Sequence, residues 1–153
     1  MVICPLFLPS QSSISYPGTP YSPSSHSVFV AFRSTNFQVT SGSKIMPFDL
    51  TKINIGGDYN PTTGVFTCRT PGLYHFAYNL LPYTTGFTVS AQLRHKGVSV
   101  GYITIPDFWS GSYSTILDLN MGDEVYILVY APSYIRGNNS GYSTFNGYLI
   151  HEQ

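Results

Sequence analysis

From Val28 onward, short apolar runs recur along the chain: VFVAF (28–32), KIMPF (44–48), GVFTC (64–68), LYHFAYNLL (73–81), TVSAQL (88–93), VSVGYITI (98–105), STILDL (114–119), EVYILVYA (124–131) and STFNGYLI (143–150). Nearly all are flanked by Gly, Pro, Asn or Asp, which end strands and make tight turns. No stretch of ten or more residues carries an apolar stripe at the helical period. The period is two instead. In GLYHFAY the rings of Tyr74, Phe76 and Tyr78 alternate with His75 and Ala77, as on a strand whose successive side chains point to opposite faces. About nine or ten strands in the folded part predict an all-β domain, either a sandwich or a closed barrel.

Before that pattern starts, residues 1–25 are crowded with Ser and Pro and show neither period. They read as a flexible tail or linker ahead of a domain over 26–153. The opening MVICPLFLP is apolar for only about eight residues and lacks a basic leader, so it makes a poor signal peptide. A trimmed chain or a cytoplasmic location would each account for that. No apolar run approaches the ~20 residues of a membrane span, so a soluble protein without membrane insertion is expected.

Composition sharpens the picture. Charged residues are 9% of the 153 and the formal net charge is zero, so no basic field exists to hold nucleic acid or an anionic membrane. Aromatics reach 16%, with 13 Tyr. That is more than one small sandwich readily buries, and the excess points to an interface between copies.

Reactive groups are sparse. His26, His75, His95 and His151 fall in four separate segments, and HExxH, GxSxG, Walker and CxxC patterns are missing; no enzyme is expected. MGDEV (121–125) reads as a turn into a strand. Cys4 and Cys68 permit one disulfide without requiring it, and Asn138 opens a glycosylation triplet, Asn-Asn-Ser. Two segments offer binding chemistry. IPDFWSG carries Asp107 and the lone Trp109, a carboxylate and a ring suited to a sugar; PSYIRG carries Tyr134 and Arg136. In each, the ring packing against the sheet is the competing reading.

One spacing is specific. Phe48, Asn54, Tyr59, Phe66 and Gly72 precede Tyr74, Phe76 and Tyr78 at intervals that resemble the signature of the globular head of complement component 1q, within the tumour necrosis factor superfamily. LNMGDEVYILV and STFNGYLI look like later strands of that domain, so the likeness covers roughly residues 27–153. It implies a ten-stranded antiparallel jelly roll assembling as a homotrimer or heterotrimer in a secreted protein, and a homotrimer is expected here. It also implies that Tyr74, Phe76 and Tyr78 are core, while His75, Ala77, Phe145 and Leu149 face neighbouring subunits, with Tyr148 and Ile150 inside.

Many relatives bind calcium through acidic residues in the loop before the strand matching STILDL. Here Asp107 is the only carboxylate in that loop, so calcium is an option through Asp107 and no cofactor is required. By resemblance the expected function is a non-enzymatic, innate-immune or lectin-like trimer that binds carbohydrate, lipopolysaccharide or a protein receptor. A cytokine-like or adipokine-like receptor ligand and a structural trimerisation head remain alternatives.

Overall fold

The computed structural model describes residues 26–153, and every regular element in them is a strand. In chain order these are β1 (Val28–Phe32), β2 (Phe37–Val39), β3 (Ser43–Ile45), β4 (Leu50–Ile55), β5 (Tyr59–Asn60), β6 (Val65–Thr67) and β7 (Gly72–Leu80). Then come β8 (Val89–His95), β9 (Val98–Ile105), β10 (Gly111–Leu119), β11 (Glu124–Tyr130), β12 (Ser133–Ile135) and β13 (Thr144–Glu152). The proposed tail and Cys4 lie outside the described residues.

Two antiparallel sheets face each other. One has five strands in the order β10-β7-β13-β1-β4; the other has six, β5-β6-β11-β8-β9, with β3 also paired to β11. A two-stranded ribbon of β12 and β2 adjoins them. The described residues thus form thirteen strands where ten were expected. The additions include β2, β5 and β12, each only two or three residues long, too short to display a period. β4 was hidden for another reason. A register shift opposite Val30 and Ala31 skips one of its residues, and such a bulge breaks the alternation that reveals a strand.

The inner rows of the two sheets meet in an aromatic cluster. Phe29 stacks on Tyr59 at 4.6 Å between centroids, Phe145 meets Phe29 edge-on at 4.9 Å, and Phe66 contacts Phe76 at 5.2 Å. Tyr74, Phe76 and Tyr78 are all buried in the same core. The buried hydroxyl of Tyr59 is satisfied on both sides: it accepts from the Phe48 amide at 2.9 Å and donates to the Phe48 carbonyl at 3.2 Å. Gly147 sits where two rings converge, since a Cβ there would lie 2.7 Å from both Phe29 and Phe76.

The last strand corrects the expected assignment of faces. Directly opposed residues of an antiparallel pair share a face, and β13 pairs Phe145 with Tyr78, Gly147 with Phe76 and Leu149 with Tyr74. Phe145 is therefore fully buried in the core and Leu149 packs against it; neither belongs to an outer interface. Conversely Tyr148 and Ile150, expected inside, are 45% and 48% exposed. His75 and Ala77 do lie on the outward row, opposite Tyr148 and Asn146.

Truncating Phe145 tests this placement. Phe145→Ala should cost the fold about 3–5 kcal/mol, the usual penalty for an aromatic-sized cavity. A melting curve matching that of the wild type would put the ring outside the core.

Candidate functional site

Strand directions gather one set of loops at one end of the sandwich. β7 ends at Leu80 opposite Gly111, where β10 begins, and β1 ends at Phe32 opposite Thr144, where β13 begins. Segments 33–36, 81–88, 106–110 and 136–143 therefore emerge together. Ser143, completely buried, ties them: its hydroxyl donates to the Arg136 carbonyl at 2.7 Å and accepts from the Leu81 amide at 3.3 Å. Its own carbonyl accepts from the Arg33 amide at 3.0 Å.

Asp107 is the second tie. One carboxylate oxygen accepts from the Gly86 amide at 2.6 Å and the other from the Phe87 amide at 3.2 Å. The residue therefore clamps one loop to another, and both oxygens are engaged before any ligand arrives. Just beyond the clamp, Phe108 and Trp109 are 81% and 70% exposed. Phe108 adopts a φ of +65°, a left-handed conformation that is uncommon for a bulky residue and usually marks strain held by its surroundings.

Tyr134 lies on β12, in a short strand instead of the expected loop. Its half-buried ring lies 4.8 Å from that of Phe87 and meets Tyr83 edge-on at 5.9 Å. Arg136 is exposed and its guanidinium sits 5.9 Å over the Tyr142 ring. The fold thus links Asp107 to Tyr134 through Phe87, sets Trp109 at the exposed tip and turns Arg136 toward Tyr142. Phe87 and Phe108 escaped the sequence reading. Phe108 adjoins Trp109 and was legible by proximity, whereas Phe87 sits alone between turn residues.

Around this end the chemistry is that of flat apolar faces edged by hydroxyls. Among the described residues no group of three or more His, Cys, Asp or Glu is placed to hold a metal ion. Each oxygen of Asp107 already accepts one amide hydrogen bond, so a cation there would share the carboxylate with the loop it clamps. Asn138, first of the glycosylation triplet, accepts from the Ser140 amide at 2.9 Å.

Polar chemistry concentrates at the opposite end. Asp123 accepts from the Asn120 amide at 2.9 Å, from His95 at 3.1 Å and from Lys96 at 3.0 Å. Burial alone would raise its carboxyl, but these donors hold it below the usual carboxylate range. MGDEV is a turn, with Gly122 at a φ of +86°. Cys68 is buried nearby, donates to the Thr70 carbonyl at 3.1 Å and forms no disulfide with a described residue; burial pushes its thiol up.

A second surface is the outward face of the five-stranded sheet. Register aligns Ile55, Val28, Tyr148, His75 and Ile116 in one row across all five strands. Ile53, Ile55, Leu73, Ile116, Tyr148 and Ile150 on this face are between 37% and 58% exposed. The His75 ring lies 5.1 Å from that of Tyr148, and its Nδ1 is shielded without a hydrogen-bond partner.

Comparison with known proteins agrees with this architecture. The sequence model of the C1q domain matches residues 28–150. A complement C1q subcomponent of Rattus norvegicus is 31% identical over 135 residues, which cover 85% of this chain and 53% of the relative. Caprin-2 of Danio rerio is 30% identical over 128 residues, covering 81% of this chain and 14% of the relative. The chain thus spans about half of one relative and a small part of the other. Among solved structures, the globular domain of the zebrafish complement 1qA protein superposes with a TM-score of 0.66 at 23% identity, over 83% of this chain and 99% of that one. Murine APRIL superposes at 0.67 with 12% identity, over 82% and 99%. These likenesses show the jelly-roll fold.

The Asp107 clamp yields a local test. Asp107→Ala should leave the core melting transition near its wild-type value while hydrogen exchange at Gly86 and Phe87 rises about tenfold or more, since each loses a charge-assisted bond. Unchanged exchange at both amides would show that the loops are held by other means.

Proposed function

The chain belongs to the C1q domain family, and on that premise we propose that it is a non-enzymatic recognition module acting outside the cell. In this reading it is a trimer of identical chains that presents three loop ends to a carbohydrate or microbial-surface ligand. The observation that carries the reading is the presence, on one chain, of an exposed apolar band across one sheet and of two exposed rings, Phe108 and Trp109, at one end.

Each place has its own physical role. A sheet buried on both faces needs a second layer, and the row from Ile55 to Ile116 finds one in further copies of itself. Covering such apolar area is worth about 25 cal/mol per Å², which favours association without any specific polar contact. His75 and Ala77 then face neighbouring subunits. The rings of Phe108 and Trp109 supply the recognition surface, since an aromatic face packs on the C–H face of a sugar. Tyr134 backs them through Phe87.

Asp107 contributes by holding the loops in place before the ligand arrives. A site ordered in advance loses less conformational freedom on binding. Arg136, exposed on the same end, adds the positive charge that an acidic sugar or lipid headgroup would meet. A single end of this kind binds weakly. Three on one trimer gain avidity by engaging repeated ligands together, often by a factor of about 10²–10⁴.

Assembly and recognition separate experimentally. Ile116→Glu places a charge on the apolar band without touching the core, so sedimentation should show a folded monomer; an intact trimer would exclude this face as the interface. Trp109→Ala should keep the trimer and lose binding in a screen of glycans and lipopolysaccharide. Binding equal to that of the wild type would clear the loop tip of the role.

A further inference from the structure

A different chemistry occupies the outward face of the six-stranded sheet, on the other side of the sandwich from the apolar band. There β8 and β11 set Arg94 opposite Tyr126, and β9 sets Tyr102 opposite Gln92. Arg94 is half-buried. Its Nη2 donates to the Tyr130 hydroxyl at 2.8 Å, its Nη1 donates to the Gly97 carbonyl, and its Nε is shielded with no acceptor. The Tyr130 hydroxyl in turn donates to Gln92 Oε1 at 3.1 Å, which occupies the amide oxygen and leaves its N–H₂ as a donor.

What this cluster lacks is negative charge. The ion pairs among the described residues use Arg33, Arg69, His95 and Lys96, and none reaches Arg94. The adjoining His95 and Lys96 both turn to Asp123. Glu124, exposed on the same row of β11 as Tyr126, makes no ion pair with Arg94. A half-buried cation faced only by neutral oxygens lacks a counter-charge to offset its partial desolvation. An oxyanion arriving at a guanidinium recovers that cost through short, charge-assisted bonds.

We propose that this face is a second binding site, for a glycan bearing a carboxylate or sulfate group. The oxyanion pairs with Arg94, and the sugar hydroxyls meet Gln92 and Tyr102. The tyrosines favour a sugar over a bare ion, because each offers a ring to pack on and a hydroxyl to share. The site is independent of the loop end, for Arg94 sits beside the His95–Lys96 turn while those loops leave β8 at Val89.

The test is an amide NMR titration of the full chain with three oligosaccharides at matched ionic strength. Oligogalacturonate carries only carboxylates, sulfated dextran only sulfates, and plain dextran neither. Shifts over Ser90–Lys96 and Tyr126–Tyr130 are expected with at least one acidic oligosaccharide, identifying the acid, and none with dextran. Arg94→Gln should weaken that binding, read at the Ser90–Lys96 amides, about tenfold or more. No shift with either acidic chain, equal shifts with dextran, or unchanged affinity in Arg94→Gln would overturn the proposal. If Arg94→Gln does not fold, Glu124→Gln decides. Removing that exposed carboxylate should tighten binding, and unchanged affinity overturns the site.

Discussion

The pairing of β13 with β7 is the constraint on which the rest of the molecule turns. With Phe145 opposite Tyr78 and Leu149 opposite Tyr74, one set of side chains closes the core and the other is turned outward. Slipping the register by one residue would exchange the two sets completely. Gly147 disfavours that slip. It occupies the point where Phe29 and Phe76 approach each other, with no room for even a Cβ, so neither Asn146 nor Tyr148 fits there. The outward band is therefore a consequence of how the core closes.

The residues of the family spacing are joints of this same construction. Tyr59 bonds both polar groups of the Phe48 backbone, and Asn54 Nδ2 donates to the Tyr59 carbonyl at 2.9 Å. Phe66 packs between the two sheets against Tyr74 and Phe76. A Cβ at Gly72 would fall 2.2 Å from the His151 carbonyl, so the start of β7 and the end of β13 meet only through a glycine. None of these positions reaches either exposed surface. That is why the spacing speaks to architecture, while recognition rests on loop and face residues that it does not include.

The same distinction explains what was legible in the amino-acid order. Long strands with strict alternation, such as β7 and β11, announced themselves because a half-buried sheet enforces a period of two. The turn at Gly122 and Asp123 was legible because local backbone chemistry decides it. Which of two rows on β13 faces inward was not, since STFNGYLI has large apolar residues in both rows, Phe145 and Leu149 in one and Tyr148 and Ile150 in the other. Only the partner strand breaks that tie. At the loop end, Trp109 stood out by rarity, but the commitment of Asp107 to Gly86 and Phe87, about twenty residues earlier in the chain, is a tertiary fact. Arg94 likewise looked like an ordinary polar position on a strand. Its lack of a counter-charge is visible only once the neighbouring strands are in place.

Chain direction leaves the sandwich with a front and a back. Val28 begins β1 beside the end of β13, and the Gln153 amide donates to the Pro71 carbonyl at 3.1 Å, so both extremities of the described chain sit at the back, near Asp58 and Asp123. The aromatic loops are at the front. A graft, label or surface tether attached through either extremity would therefore hold Phe108 and Trp109 toward the bulk medium, an orientation obtained from topology alone.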